Sequence, residues 1–333
     1  ASTSAATIYC NQVGGNYPGI YSFPSEGGTL SQVYAYNSLD SKYGSVFTPT
    51  AFYSVQYPNS QWQKPYAVRA LHNAEMGDWQ TPRRINEKLE VTDVPTTLAL
   101  NPITGKIYGC FMNADKETYS FGTFTEADGT SEIIAPLPQQ LVSIAADETG
   151  TMYAVGVDGK LYSLTSAGAM TEIGATGVTP SPKYSAGTAF DNTTGTLYWT
   201  VTTKSLDTSL YTINLTTGAA TKVYDFPESI NITTLCILDQ PAPAGAPADV
   251  TDFMAIPDGF QNKIDISFTL PSKTIAGNDM LGAVKYKVMV DDRVIANTQG
   301  GPGQAVSLSD TPGNGSHVVT LFTSNNAGKG NRA

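Results

Sequence analysis

Short apolar runs separated by polar turns recur along most of the chain, and three segments share one pattern. Each has an apolar strand, a polar turn that closes on glycine, and a second strand that opens with an aliphatic residue and Tyr. The glycines of the three turns are spaced by 45 residues: Gly105, Gly150 and Gly195. Because a tight hairpin turn needs a residue with positive φ, glycine at this position indicates a β-hairpin.

A second hairpin follows in each unit, beginning near Tyr119, Leu161 and Leu210, so that each unit has four strands. Four strands at a period of roughly 40 to 50 residues are typical of a β-propeller. The first unit lacks its opening strand, and residues 232–238 supply a spare one. We therefore predict that the last strand completes the first sheet and closes the ring, which removes exposed edges.

The segment of residues 45–90 matches the repeat least well. Residues 50–55 and 66–71 are its expected inner strands, with an aromatic loop between them. Residues 79–91 carry charges and a proline and fit either a strand or a short helix. Counting this unit predicts about five blades; four or six remain if it is irregular or splits. The fold class is all-β.

A proline-rich and alanine-rich stretch, residues 240–246, follows the propeller of residues 1–239. Proline favours extended backbone and cannot donate to a sheet, so this stretch is a semi-rigid linker. Residues 247–333 again contain strand-like runs, and the alternation of Ile264, Ile266 and Phe268 is that of a half-buried strand. The pattern predicts a second domain built as a β-sandwich.

This second domain resembles the fibronectin type III family. The resemblance rests on Ala246-Pro-Ala-Asp-Val, Ile266-Ser-Phe-Thr-Leu-Pro, Tyr286-Lys-Val-Met-Val-Asp and Asn325-Asn-Ala-Gly-Lys-Gly. It departs from the family at Phe268, where Trp is usual, and near His317, where Tyr is common. The chain also stops where a last strand should run, so we expect that strand to be truncated.

A propeller followed by such a domain is similar to surface proteins and lipoproteins of gut-dwelling Gram-negative bacteria. The resemblance covers the order of the domains and implies export, with an adhesion or scavenging role at the cell surface or the periplasmic face. It gives no ligand. Ala1 to Thr7 are not a signal peptide, so a targeting segment or lipid anchor would lie outside these residues.

Composition narrows the functional classes. Charged residues make up 14% of the chain and the net charge is −10, with no run of Lys or Arg. Nucleic acid is therefore not an expected partner. No stretch approaches the roughly 20 apolar residues that cross a bilayer.

The three cysteines have no metal-binding spacing, and each sits in an apolar run: Cys10, Cys110 and Cys236. Packing is the favoured interpretation, with a Cys10–Cys236 disulfide as the alternative.

The strongest enzymatic alternative is a glycoside hydrolase, which needs two carboxylates at the central channel. The predicted inner strands, residues 50–55, 97–100, 141–145, 185–190 and 232–238, contain no Asp or Glu. Carboxylates from loops could still reach the channel: Asp93, Glu75 and Glu228. A nucleophilic triad through His72 lacks any supporting nucleophile motif. No catalytic residue or cofactor is assigned. Asn101, Asp147 and Asp191 leave calcium open, although such residues also initiate turns.

Binding residues are expected in the loops that join second to third strands and one blade to the next. The candidates are Asn16, Tyr17, Tyr43, His72, Trp79, Asp115, Lys183 and Asp207. Aromatic rings with amides suit contact with a sugar or peptide, although packing within loops also explains them. We predict an exported binding protein whose propeller recognises a glycan, peptide or protein. A hydrolase and a structural spacer are the alternatives.

Overall fold

In a computed structural model, the chain forms two compact units, residues 1–239 and residues 240–333. The structure describes residues 4–15, 17–39, 43–56, 65–85, 93–113 and 117–333. The described residues contain strands, turns and one 3-10 turn at Asn37–Leu39. Within this part of the chain no helix has the length and apolar character that crossing a membrane requires.

The first unit contains five antiparallel sheets of four strands, with strands numbered along the chain. In order of pairing, the first sheet is β20 (Ile232–Cys236), β1 (Thr7–Gln12), β2 (Gly19–Pro24) and β3 (Ser31–Ala35). The second sheet is β4 (Ser45–Phe47), β5 (Ala51–Gln56), β6 (Tyr66–Leu71) and β7 (Arg83–Arg84). The third sheet is β8 (Asp93–Leu100), β9 (Ile107–Asn113), β10 (Thr118–Phe124) and β11 (Ser131–Leu137). The fourth sheet is β12 (Leu141–Ala146), β13 (Met152–Gly156), β14 (Lys160–Leu164) and β15 (Met170–Ala175). The fifth sheet is β16 (Gly187–Asp191), β17 (Thr196–Thr202), β18 (Thr208–Ile213) and β19 (Ala220–Asp225).

One edge strand of each sheet contacts the corresponding strands of the two neighbouring sheets. These innermost strands form a cycle: β4, β8, β12, β16 and β20. Hydroxyl and backbone groups make these contacts: Ser45 Oγ with Thr234 Oγ1, Gly44 N to Pro95 O (2.8 Å), Thr96 Oγ1 to Leu141 O (2.7 Å) and Ser143 Oγ to Ala186 O (2.9 Å). Gly187 lies against Thr234 and Leu235, where a Cβ would come within 3.1 Å. The unit is therefore a β-propeller with its inner strands around one axis.

Strand β20 pairs with β1, with Tyr9 opposite Cys236 and Cys10 opposite Leu235. This is the pairing that ring closure requires. Successive residues of a strand point to opposite faces, so the two cysteines do not face each other. Cys10 packs in the cluster with Leu210, whereas Cys236 packs against the cluster with Phe52. All three thiols are free, which is the outcome that packing predicts and the disulfide alternative does not.

Burial accounts for the state of these thiols. Desolvation raises the pKa of Cys236 to about 12 and that of Cys110 to about 11, and it raises the pKa of Cys10 further. Cys10 and Cys110 are 0% exposed. A thiol that stays protonated and inaccessible is chemically inert and acts as a small apolar side chain.

The second sheet differs from its prediction. Its innermost strand is Ser45–Phe47, and the strand that we expected there, residues 50–55, corresponds to β5, the second strand. Of residues 79–91, only Arg83–Arg84 form a strand, while residues 86–92 lie outside the described residues. The innermost strand of the third sheet also begins earlier than expected and includes Asp93. The expectation that inner strands carry no carboxylate was therefore wrong at this position, and also in the fifth sheet, where β16 ends at Asp191.

The blades are joined by apolar clusters between adjacent sheets. In the largest cluster of the first unit, Trp199 of β17 is 0% exposed and packs among residues of the fourth and fifth sheets. Its indole Nε1 donates to Ser143 Oγ of β12 at 3.0 Å. A buried indole of this kind both removes apolar area from water and satisfies its one polar group, so it fixes one sheet against the next.

The second unit is a sandwich of two antiparallel sheets. One sheet is β21 (Met254–Asp258), β22 (Lys263–Thr269) and β25 (Ala305–Asp310). The other is β24 (Arg293–Gly300), β23 (Val284–Val290), β26 (Val319–Asn325) and β27 (Gly328–Lys329). Phe268 of one sheet meets Tyr286 of the other, with ring centroids 5.5 Å apart. After β27 the chain stays beside β26, since Leu321 and Ala333 exchange two backbone hydrogen bonds. The final residues thus pair with β26 at the place where we expected the last strand to be truncated.

Candidate binding site

The loops of the propeller lie at two ends of its sheets. At one end lie the loops that join the second strand of a sheet to the third and the loops that join one sheet to the next; we call it the intersheet end. At the other end lie the loops that join the first strand to the second and the third to the fourth; we call it the hairpin end. Tyr17, Tyr43, Lys183 and Asp207 lie in four separate loops at the intersheet end. Tyr17 is 70% exposed, and Lys183 and Asp207 are also exposed. Asn16 and Asp115 lie outside the described residues.

His72 and Trp79 lie in residues 72–82, which join the third and fourth strands of the second sheet. These two residues are therefore at the hairpin end and do not share a face with the other candidates. The reason is the three-residue strand β4, which the sequence pattern did not reveal. It shifts every later strand of this sheet by one place, so the loop after β6 falls at the opposite end.

Four rings form a continuous stack from the end of β3 to residues 72–82, and we call it the aromatic stack: Tyr36, Tyr34, Trp79 and His72. Tyr34 lies 6.2 Å from Tyr36 and 5.6 Å from Trp79, with planes within 10° of parallel. Trp79 lies 4.6 Å from His72. The stack runs from the outer strand of the first sheet to the loop of the second sheet, so it links two blades by ring contacts.

The loop that carries Trp79 is held by its own backbone. Asn73 Oδ1 accepts hydrogen bonds from the amides of Glu75 at 3.0 Å and Gly77 at 2.8 Å. Met76 adopts a left-handed φ of 62° while its side chain is 3% exposed in the apolar cluster below. Trp79 Nε1 donates to the Met76 carbonyl at 2.9 Å. The buried Met76 therefore anchors the turn and sets the position of the indole.

His72 is 7% exposed. Its Nδ1 lies 2.7 Å from the Asn73 carbonyl and must donate to it, so in the neutral ring Nε2 is an acceptor. Nε2 is buried and has no hydrogen-bond partner among the described residues. Since Nδ1 bonds a backbone carbonyl, the aspartate of a nucleophilic triad does not occupy that place.

A depression of about 350 Å³ opens beside the aromatic stack, and we call it the arginine cleft. Its lining residues are Arg69, Leu71, Trp79, Gln80, Thr81 and Arg83. Arg69 and Leu71 lie on one face of β6, because residues two apart in a strand point the same way. Arg83 of β7 pairs directly with Arg69, so both guanidinium groups flank the same depression.

The arginine cleft concentrates positive charge in an acidic chain. The only arginines in residues 1–239 are Arg69, Arg83 and Arg84, and they lie within 16 positions of one another. Arg84 points away from the depression and covers the ring of Tyr66, with its Cζ 3.7 Å from the centroid. The clustering of arginines in the sequence was a signal for this site, and our candidate residues did not include it.

A residue of the third sheet, Glu126, also lies near Arg69. Arg69 lies directly opposite Tyr53 of β5, and Tyr53 donates to Glu126 of the third sheet at 3.4 Å. Burial, the charge of Glu126 and its hydrogen bond raise the pKa of Tyr53, against the lowering effect of Arg69. The phenol of Tyr53 thus lies near both the positive charge of Arg69 and the negative charge of Glu126.

The carboxylates considered for hydrolysis are divided between the two ends. Glu75 is exposed at the hairpin end, whereas Asp93 and Glu228 lie at the intersheet end. Asp93 Oδ1 accepts a hydrogen bond of 3.4 Å from Asn113 Nδ2 of the adjacent strand. Glu75 therefore cannot pair with either of the other two across a scissile bond.

The polar residues that left calcium open serve turns. Asn101, Asp147 and Asp191 each accept backbone amides two residues ahead, at 2.9–3.0 Å. Such bonds are those of turn-initiating side chains. Over the part of the chain that the structure describes, no three His, Cys, Asp or Glu side chains gather as a metal site would require.

The second histidine, His317, lies in the sandwich. Its Nδ1 lies 2.7 Å from Asp291 and its Nε2 3.2 Å from the Gly313 carbonyl. The hydrogen bond to Asp291 raises the pKa of His317. Both ring nitrogens face acceptors, so this side chain acts as a charged clamp between two loops of its own unit.

Comparison with known proteins gives no family for this chain. No family model matches it, and no curated protein does. Among solved structures, one from a nidogen/laminin complex aligns over 88% of this chain and 92% of its own, at 13% identity and a TM-score of 0.40. TolB from Acinetobacter baumannii covers 90% of this chain and 65% of its own, at 12% identity and a TM-score of 0.38. An exo-β-1,3-galactanase from Phanerochaete chrysosporium covers 88% and 94%, at 9% identity and 0.37. Such likeness assigns no function, and the fold is established by the strand pairing above.

Proposed function

We propose that this protein is a non-catalytic binding protein whose propeller recognises a glycan in the arginine cleft. The observation that carries the proposal is the lining of that cleft: an indole, an amide, a hydroxyl and two guanidinium groups around a depression of about 350 Å³. That volume falls within the ~300–1,000 Å³ of small-ligand sites.

The chemistry of the lining suits a sugar. Tyr34 and His72 stack on the indole of Trp79, so this residue lines the cleft with its edge, which offers apolar contact to the C–H groups of a pyranose ring. Gln80, Thr81 and the arginines offer donors and acceptors that orient its hydroxyl groups. The aromatic stack and the buried Met76 hold the indole before a ligand arrives, so little conformational freedom is lost on binding.

A glycan array followed by titration tests this proposal. We expect the wild-type protein to bind a defined set of oligosaccharides and Trp79→Ala to weaken that binding about tenfold or more. Tyr17→Ala is the matched control, because Tyr17 is an exposed aromatic residue that does not line the arginine cleft. Unchanged binding by Trp79→Ala together with loss in Tyr17→Ala would place recognition at the intersheet end. Capture of a peptide or protein with no glycan bound would replace the sugar as the ligand.

We propose that the five sheets act as a closed, five-bladed scaffold and that the second unit is a fibronectin-type-III-like spacer or second contact. Three strands facing four strands around one core support this assignment. Action outside the cell, at a bacterial surface, rests on the resemblance of the domain order and on no observation of the structure. Fractionation of the native host tests it.

Hydrolysis is the second candidate function, and the position of Asp93 favours it over a purely structural role. Asp93 opens an inner strand at the intersheet end, where Glu228 also lies. Incubation with the oligosaccharides identified on the array tests this candidate. Release of sugar that Asp93→Asn abolishes and Glu75→Gln leaves intact would establish a hydrolase, whereas no release supports binding alone.

A further inference from the structure

Arg69 and Arg83 present an arrangement that a stable protein tends to avoid. They are directly opposed on adjacent strands and both are exposed. Directly opposed residues in an antiparallel pair have Cβ atoms about 4.5–5.5 Å apart, and like charges there are destabilising. Among the described residues no carboxylate forms an ion pair with either guanidinium, although acidic residues outnumber basic ones in the chain by 29 to 19.

Two other surface cations of the propeller have carboxylate partners. Lys160 pairs with Glu172 at 3.0 Å, and Lys222 pairs with Asp225 at 3.1 Å. The arginine pair differs from these because its two groups line one depression and, within the part of the chain that the structure describes, neither has an ion-pair partner. An anion supplied by a ligand would balance the two charges.

Resting on the proposed glycan function, we propose that the ligand of the arginine cleft is an acidic glycan, and that Arg69 and Arg83 bind the carboxylate of a uronic acid. Each guanidinium is a planar fork whose paired N–H donors match the two oxygens of a carboxylate. The sugar ring that bears this carboxylate lies against Trp79, with Gln80 and Thr81 beside it. The two arginines thus select the charge and Trp79 selects the ring.

The net negative charge of the protein limits the distance over which the two arginines can attract an acidic glycan. A chain of net charge −10 repels an anionic polysaccharide at long range, so the affinity must come from close contact in the cleft. Solvent-exposed charges are screened over about 8 Å at physiological salt. We therefore expect salt to weaken binding to the uronate and to leave binding to a neutral analogue unchanged.

Titration of Trp79 fluorescence or of heat with two matched probes tests the inference. The probes are a galacturonic acid trisaccharide and its carboxyl-reduced counterpart, galactose trisaccharide. We expect the uronate to bind about tenfold to a hundredfold more tightly, the range of charge-assisted hydrogen bonds. Arg83→Gln should remove most of that preference, because the affinity for the uronate should fall much more than the affinity for the neutral trisaccharide.

Arg84→Gln is the matched control. It removes the same charge from the same two-residue strand, but Arg84 lies over Tyr66 and does not line the cleft. We expect it to keep the preference for the uronate. Equal loss in Arg83→Gln and Arg84→Gln would overturn the inference, because it would show a general effect of charge.

The remaining outcomes separate this inference from the proposed function. Equal binding of both probes, sensitive to Trp79→Ala, would keep the glycan site and overturn the carboxylate receptor. Tighter binding of a sulfated galactose trisaccharide than of the uronate would also overturn the carboxylate assignment. Failure of the uronate to bind while a neutral glycan from the array does would overturn only the inference, whereas an array without any bound glycan would overturn both.

Discussion

The second sheet and the third, fourth and fifth sheets occupy equivalent places in the propeller but use their residues differently. In the three regular sheets, short turns capped by Asn101, Asp147 or Asp191 join the first two strands, and apolar side chains fill the interfaces. The second sheet has an inner strand of three residues and an outer strand of two. Its longest described connection, residues 72–82, carries Trp79 to the surface.

The comparison shows where a repeat protein can place a binding site. Each regular sheet needs its strand residues to pack against two neighbours, so few positions are free to change. The second sheet keeps the inner contacts with β8 and β20 and leaves its outer edge short. Its outer residues are therefore available for a surface on which Arg69 and Arg83 lie side by side.

The largest expected effect compares the two tryptophans. Trp199→Ala should lower the free energy of unfolding by about 3–5 kcal/mol, because it empties a buried site and removes the hydrogen bond from the indole to Ser143. Trp79→Ala should cost only about 1–2 kcal/mol, the value of its ring contacts. Urea unfolding of both variants measures the difference. Equal losses would show that the aromatic stack is core and would break the distinction between the sheets.

A second effect tests how closely the regular sheets pack. Gly174 of β15 lies against the fifth sheet, where an added Cβ would come 2.0 Å from the Thr217 carbonyl. Gly174→Ala should therefore destabilise by about 1–3 kcal/mol or more, since backbone must move on both sides.

Gly195→Ala is the control for that substitution. It meets no atom within 4 Å, and its φ of +73° carries only the conformational cost of a left-handed residue, about 1–2 kcal/mol. A smaller loss for Gly174→Ala than for Gly195→Ala would mean that the fourth and fifth sheets separate easily.

A third effect concerns hydrogen bonding within the fourth sheet. Burial and the hydrogen bond to Asp158 raise the pKa of Tyr162 to about 12. Burial opposes ionisation of Asp158, but hydrogen bonds from Tyr162 and Gln139 outweigh it and lower the pKa of Asp158. The stabilisation from Tyr162 is complete below its unfolded pKa of about 10 and is lost as pH rises through about 12.

Asp158→Asn should therefore lower the pKa of Tyr162 toward 10. The measurement is tyrosinate absorbance against pH, with Tyr162→Phe to identify the signal. An unchanged titration in Asp158→Asn would show that burial alone sets the pKa of Tyr162.

The smallest expected effect comes from reversing one charge in the second sheet and one in the fourth. Arg83→Glu places a carboxylate opposite Arg69 and should raise the free energy of unfolding by about 0.2–1 kcal/mol. Lys160→Glu replaces the ion pair with Glu172 by two like charges and should lower it by a similar amount. Thermal melting at low salt measures both. A loss in Arg83→Glu would contradict the idea that the arginine pair is strained.

The three regular sheets were predictable because their turn glycines recur at a fixed place in the repeat. Gly105, Gly150 and Gly195 all have φ between +72° and +78°, as their place in the repeat requires. Trp79 was recognised as a candidate, but its end of the sheet was not, because Ser45–Phe47 is too short to show an alternating pattern. The pairing of Arg69 with Arg83 depends on a register across a loop of eleven residues, which local pattern does not encode.

What the sequence by itself determined is the all-β class, the four-strand repeat and the division near residue 240, because alternation, turn glycines and prolines act locally. The tertiary structure alone decided which side chains meet. It separated Cys10 from Cys236 by one position of register, brought Tyr34 and Trp79 together from different sheets, and set two arginines across one depression. Such meetings depend on strand register and on the order of strands in a sheet, and both are settled only when the sheets pack around the axis.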